Sequence, residues 1–259
     1  MNGYVDVLGH PTWIDDDAGD GTPVLLLHGG FGSNDLLLGL CRSALDAARY
    51  RLVAFDRRGH GKTADADAPF HYETMADETL AILRDYIGGP AHLVGYSDGG
   101  NVALLAARRE PALVESLTLI SANFHHDGLH PEGASEFVPG DGTYELMQVL
   151  YGGLSPDGAE HFPVVAGKGN AMIATEPTLT TDDLRTIDVP TLVMAGDDDL
   201  VDHHHTVELF ESLPDARLAI VPGASHLLVV EKPAAVGALI AEFLADTSPP
   251  TTLMPLRRA

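Results

Sequence analysis

Short, nearly continuous apolar runs recur along this chain, each followed by a stretch with helical spacing. Val24–Leu27, Leu52–Phe55, His92–Val94 and Leu117–Ile120 are four such runs in the first half. A strand with one wet face alternates apolar and polar residues, whereas a strand buried on both faces reads as an apolar run. Asn34 and Asp35 can cap a helix running to about Ala48. Ala76, Leu80, Leu83 and Ile87 share one helical face, which Gly88-Gly89-Pro90 ends, and Val102–Arg109 is helical up to Pro111. After Pro190 the alternation resumes with Thr191–Ala195 as strand, Val207–Leu213 as helix and Leu218–Val221 as strand. Val236, Ile240 and Phe243 mark a last helix. The pattern predicts an α/β fold: a mostly parallel central sheet with helices on both faces.

The pattern stops between about Asn123 and Asp188, where His, Gly, Pro and acids dominate around one short apolar helix, Leu146–Tyr151. This predicts a core of residues 1–122 and 189–246, a cap inserted at 123–188, and a flexible tail at 247–259. The 38 acidic residues against 15 basic ones give a charge of −23. Phosphate binding needs Lys and Arg, so nucleic acid and anionic membranes are not expected as partners. Cys41 is the single cysteine, so no disulfide closes within the chain. Residues 1–20 lack a basic start followed by an apolar run, and no stretch approaches 18 apolar residues. These features predict a cytoplasmic protein. Oligomeric state is not legible in them.

Gly95-Tyr96-Ser97-Asp98-Gly99 follows a predicted strand and opens a predicted helix. Glycines flanking a serine at such a turn let strand and helix approach closely and lift the hydroxyl above the sheet. The turn also aims the Asp98 N–H at charge developing on a substrate oxygen. A serine hydroxyl needs a base beside it. Of the 13 histidines, His226 stands out, in the loop Pro222–His226 after the last strand. The base in turn needs a carboxylate behind it. Asp197, Asp198 and Asp199 follow the strand Thr191–Ala195; Asp199 is favoured, and Asp197 is the next candidate. Leu27-His28-Gly29-Gly30-Phe31 follows the first buried strand, and its glycines can turn backbone N–H groups toward the reacting centre. Gly30 is the favoured second oxyanion donor, Phe31 the alternative, and His28 braces the loop. Each of these segments also has an ordinary reading as a Gly-rich turn or an exposed loop.

Other polar clusters point to less. His203, His204 and His205 are consecutive, and on a helix consecutive side chains diverge by about 100°. The histidines at 125, 126, 130 and 161 read as surface residues, so no metal is expected. Arg57, Arg58 and Lys62 form a basic spot that the surrounding acids can pair. Cys41 reads as a small core hydrophobe.

The motifs together resemble the α/β-hydrolase superfamily from about Gly3 to Leu244. His28-Gly29-Gly30 resembles its oxyanion motif, and Asp56-Arg57-Arg58-Gly59-His60-Gly61 its D-x-R-G-x-G loop. Gly95–Gly99 resembles the nucleophile elbow, Gly196–Asp199 the acid turn and Gly223–His226 the base loop. The Ser-Asp-Gly-Gly elbow is similar to that of valacyclovir-hydrolase-like and other small carboxylesterases. The resemblance implies a Ser97–Asp199–His226 triad, an oxyanion hole from Gly30 and Asp98, and no cofactor. A serine nucleophile disfavours the dehalogenase and epoxide-hydrolase chemistries, which use aspartate in this fold.

The reading that follows is a serine hydrolase for a small carboxylic ester or lactone, with amide and thioester cleavage open. A perhydrolase using peroxide shares the triad; a ligand receptor and a biosynthetic cyclase share the fold. Phe31, Phe124, Leu146, Met147, Leu150 and Phe162 are candidates for the pocket wall. Asp98 poses a problem of charge. Like charges about 6 Å apart at an effective dielectric of 20 repel by about 3 kcal/mol. The carboxylate beside the oxyanion must be protonated, turned away or matched by a cation, and a substrate ammonium group is one such cation.

Overall fold

The computed structural model describes residues 2–131 and 137–254. Eight strands form one sheet: β1 (Asn2–Val7), β2 (His10–Asp16), β3 (Thr22–Leu27), β4 (Tyr50–Phe55), β5 (Ala91–Tyr96), β6 (Val114–Ile120), β7 (Thr191–Asp198) and β8 (Ala216–Ser225). Their spatial order is β1-β2-β4-β3-β5-β6-β7-β8. The contacts from β4 through β8 are parallel, while β1–β2 and β2–β4 are antiparallel. The sequence reading missed the β1–β2 hairpin, because Asn2–Asp16 is rich in Asp and Gly and carries no apolar run. The hairpin holds to the sheet through a buried charge: Arg51 Nη2 on β4 lies 2.5 Å from Asp16 Oδ2.

Helices cover both faces, and the strands show why. Leu25 and Leu27 of β3 point one way, with Val53, Phe55, Leu93, Leu117 and Val193. They pack on α2 (Tyr72–Ala81) and α3 (Asp98–Arg109). Val24 and Leu26 point the other way, with Leu52, Ala54, Val94, Ile120 and Met194. They meet α1 (Asp35–Ala44) and the last helix, Pro233–Ala245. Both registers of each strand are apolar because both faces are covered. Cys41 sits in the second layer, and burial pushes its thiol up to about 12.

Between β6 and β7 the chain leaves the sheet and forms α4 (Gly142–Leu154), α5 (Phe162–Ile173) and α6 (Thr181–Leu184). Asp65 ties α5 to the core: its Oδ2 accepts from Lys168 Nζ at 2.7 Å and lies 2.8 Å from His161 Nε2. The sequence reading placed one helix here, where the described residues form three α-helices. Pro163 and the glycines 167 and 169 masked the second, and Pro163 lies in its first turn, where proline is tolerated. After α6 and β7 follow α7 (His203–Ser212), α8 (Leu228–Glu231) and α9 (Pro233–Ala245). Residues 247–254 carry no helix or strand, and the rest of the expected flexible tail lies outside the described residues. Among the described residues, no helix is long and apolar enough to cross a membrane.

Two glycine substitutions test the packing in opposite directions. A Cβ on Gly99 would sit 2.0 Å from the Leu27 carbonyl oxygen, so Gly99→Ala should be severely destabilised or fail to fold. A Cβ on exposed Gly39 in α1 meets nothing within 4 Å. Gly39→Ala should therefore raise stability by about 0.5–1 kcal/mol in urea unfolding, the helix-propensity gain.

Candidate active site

The strand order reverses direction between β3 and β5: β4 lies outside β3, and β6 outside β5. Loops leaving the carboxyl ends of two such strands diverge and open a crevice. One loop is His28–Phe31, after β3; the other is the turn at Ser97, after β5.

Ser97 has φ 52° and ψ −122°, a strained conformation for a residue with a side chain. The surrounding glycines make it possible. A Cβ on Gly95 would lie 2.3 Å from the Gly99 carbonyl oxygen, and one on Gly100 2.6 Å from the Ala122 Cβ. The turn puts Ser97 Oγ 3.0 Å from His226 Nε2. His226 Nδ1 lies 2.7 Å from Asp199 Oδ1. An ionised carboxylate only accepts, so Nδ1 carries the proton and Nε2 is left to accept from the Ser97 hydroxyl.

Asp199 is buried and fully engaged. Burial acts to raise its carboxyl pKa. The His226 hydrogen bond and charge, the Ser121 hydroxyl and the Val201 N–H outweigh that and hold it below the usual range. Its Oδ2 accepts from Ser121 Oγ at 2.5 Å and from the Gly196 N–H at 3.1 Å. Asp197, the other candidate, instead accepts from the Ala224 N–H at 3.0 Å and braces the base loop. Ser121 escaped the sequence reading. Its one signal is a polar residue immediately after a buried strand, and serines there are common. It too has positive φ, 51°.

The loop His28–Phe31 faces the turn: a Cβ on Gly29 would lie 3.4 Å from the Ser97 Cβ. Among the described residues, no protein acceptor pairs with the N–H of Gly30, Phe31 or Asp98. His28 is buried under the loop. Its Nε2 accepts from the Arg57 N–H at 3.1 Å, so its Nδ1 donates, to the Gly29 carbonyl at 2.6 Å. Burial, then the Arg57 charge, push His28 well below its usual pKa, keeping it neutral.

Asp98 does not reach out for a cation. Its side chain is buried, and its Oδ1 accepts from the Tyr72 hydroxyl at 2.7 Å. Burial raises its carboxyl above the usual range, and the Arg57 charge and the Tyr72 hydrogen bond act against that rise. Of the three outcomes open to this carboxylate, the structure shows it turned into the interior, with Tyr72 as its hydrogen-bond partner. The basic spot read from the sequence divides likewise. Arg58 pairs with buried Glu78 and Lys62 with Asp35, while Arg57 is wholly buried.

The six candidate wall residues scatter. Phe31 (φ 58°) stacks on Phe137 with centroids 5.0 Å apart and meets Phe162 edge-on at 6.2 Å. Met147 is half-buried against the core cluster that also holds Phe162. Phe124 stacks on His205 at 4.0 Å instead. Leu146 and Leu150 are 56% and 52% exposed, so they do not belong to the buried wall. The reason is helical phase: α4 turns Tyr144 and Tyr151 inward, and Leu146 and Leu150 fall on the outer face. A cavity of about 300 Å³ lies between Pro69–His71 and α5, and none of the three triad candidates lines it. His203, His204 and His205 start α7 and do not converge. His125, His126 and Asp127 do bring ligand-type atoms within 4.8 Å of one another, in an exposed turn.

Ser121→Ala should cost about 1.5–3 kcal/mol at neutral pH, the worth of a hydrogen bond to a charged group. The folded-state pKa of Asp199 is depressed, so its stabilisation is present above the unfolded carboxylate range and lost as pH falls through the folded value. Urea unfolding of wild type and Ser121→Ala should therefore differ fully at pH 7 and converge as pH falls below the usual carboxylate range. A gap that persists at low pH would mean that Ser121 does not act through the Asp199 charge.

Residues 24–239 match the model of a family described as "Alpha/beta hydrolase family". A non-heme haloperoxidase of Rhodococcus erythropolis is 32% identical, over 81% of this chain and 87% of its own. An sn-1-specific diacylglycerol lipase of Danio rerio is 34% identical, but over only 42% of this chain and 37% of its own. A meta-cleavage product hydrolase, CumD, known from Pseudomonas fluorescens, superposes with a TM-score of 0.78, covering 94% of this chain and 98% of its own at 23% identity. The alternating sheet, the turn at Ser97 and these matches agree: the chain belongs to the alpha/beta hydrolase family.

Proposed function

We propose that this chain is a serine hydrolase that cleaves a small carboxylic ester or lactone through an acyl-enzyme. The observation that carries the reading is the hydrogen-bonded series Ser97 Oγ, His226, Asp199, at 3.0 and 2.7 Å. In this reading Ser97 Oγ attacks the carbonyl carbon while His226 Nε2 takes its proton. Asp199 keeps Nδ1 protonated and stabilises the imidazolium. The new oxyanion is met by the N–H groups of Asp98 and Gly30, already oriented before substrate arrives. His226 then returns its proton to the leaving alkoxide. Water, activated by the same imidazole, attacks the acyl-enzyme and frees Ser97. The aromatic layer of Phe31 and Phe162 supplies an apolar wall for the acyl group.

A panel of p-nitrophenyl esters of increasing acyl length tests this. Ser97→Ala should lose on the order of 10⁶ in kcat with its fold intact, and Asp199→Asn on the order of 10⁴ through the wrong His226 tautomer. Asp197→Asn should cost little. A fluorophosphonate should add its mass at Ser97 only, by intact-mass and peptide analysis. Normal turnover by Ser97→Ala would overturn the reading.

The haloperoxidase similarity favours a second reading, in which peroxide replaces water as acceptor of the acyl group. Peroxide with acetate and bromide should then brominate phenol red, and Ser97→Ala should abolish it. Ester hydrolysis without bromination would leave hydrolysis as the activity.

A further inference from the structure

The residue after the nucleophile is an aspartate whose carboxylate lies beneath the oxyanion loop. A Cβ built on Gly30 would come within 2.6 Å of Asp98 Oδ2, so the carboxylate is packed against the loop that is to hold the oxyanion. Tyr72 donates to its other oxygen at 2.7 Å. Arg57, 0% exposed, lies against the same loop. Its Nη2 is 3.3 Å from the Gly29 carbonyl oxygen and 3.1 Å from His28 Nδ1. Because Nδ1 is itself the donor to Gly29, the Gly29 carbonyl is the acceptor for Nη2. Among the described residues, Arg57 Nε and Nη1 have no hydrogen-bond partner. Among the described residues, no carboxylate forms an ion pair with Arg57 within 4.0 Å, yet the first of the charges that act on it is Asp98. Tyr72, Glu78 and Asp56 act on Arg57 more weakly; His226 is the other charge acting on Asp98.

An uncompensated guanidinium is very costly to bury, and so is an uncompensated carboxylate. The two occur together against one loop: burial shifts each toward its neutral form, and the charge of the other opposes that shift. We propose that Arg57 is a positioning and specificity-determining residue. It pins the Gly29 carbonyl, so that the Gly30 N–H keeps its aim. It also serves as the counter-charge of Asp98, so that the site does not select substrates carrying an ammonium group. The inference rests on the hydrolase reading above for its activity readout. A bare Asp98 beside the nucleophile would attract cations and oppose the oxyanion. Arg57 cancels both effects.

The test is a cycle of Arg57→Met, Asp98→Asn and the double variant, assayed on benzyl esters of alanine and of propionate, which differ only by the ammonium group. Wild type should show kcat/KM values for the two esters within about threefold. Arg57→Met should lose at least about tenfold in kcat on the propionate ester, with KM little changed, and shift the alanine-to-propionate ratio at least about fivefold toward alanine. The double variant should return that ratio to near the wild-type value and recover part of kcat. Melting temperatures should show the same coupling, the double variant regaining at least half of what Arg57→Met loses. An unchanged substrate ratio in Arg57→Met, or a double variant as bad as the product of the singles, would overturn the proposal. If Arg57→Met does not fold, Arg57→Lys decides. It keeps the charge but not the fork, so kcat should fall while the ratio stays at the wild-type value; a shifted ratio overturns the proposal. Wild-type labelling by fluorophosphonate and turnover of either ester check the hydrolase reading separately. Should both be absent, that reading fails, and the stability cycle still decides whether Arg57 and Asp98 balance one another.

Discussion

The approach of α3 to β3 and β5 is the constraint on which the rest of the site depends. Gly99 lies so close to the Leu27 carbonyl, and Gly95 to Gly99, that a side chain at either position cannot be accommodated. That proximity puts the start of α3 against the loop after β3 and holds Ser97 at positive φ. It also brings the Asp98 N–H into the same crevice as the backbone of Gly30. One tight turn thus fixes both the hydroxyl and one of the donors that would meet its product charge.

Around that turn the interior carries more charge than a hydrolase core needs for packing. Asp56 accepts from the N–H groups of Asn34 and Lys62, and a Cβ on Gly61 would collide with it. Arg57 braces Gly29, and the neutral ring of His28 links the two segments. Removing one member of such a network leaves the others buried and unpaired, a cost that exceeds the net worth of the intact network. This makes the loop after β4 a structural support for the loop after β3, although the two share no local sequence. The same segment carries Asp65, which holds α5 of the inserted region through Lys168 and His161. The residue that braces Gly29, Arg57, and the one that anchors α5, Asp65, are therefore eight residues apart on one stretch of chain.

Much of the architecture was legible because it rests on local pattern. A strand buried on both faces is mostly apolar, so β3, β4, β5 and β6 announce themselves by short apolar runs. The glycines around Ser97 are visible because no other residue fits such a turn. Elements held by partners distant in sequence were not. The β1–β2 hairpin is polar and is secured by Arg51 reaching Asp16 from β4. Ser121 matters only because Asp199, remote in the chain, ends beside it. Leu146 and Leu150 look like wall residues in a list of apolar side chains, but helical phase sends them outward while the tyrosines turn in.

The sequence by itself determined the class of fold, the order of the motifs and the residue types able to do acyl transfer, since these depend on periodicity and on backbone geometry within a few residues. The tertiary structure alone decided which of Asp197 and Asp199 stands behind His226, and where the charge of Asp98 goes. Both are questions of which groups end within hydrogen-bonding or Coulomb range across long loops. The physical reason is the same for each: a buried charge is defined by its neighbours in space, and those of Asp98 are Tyr72 and Arg57, brought to it by folding.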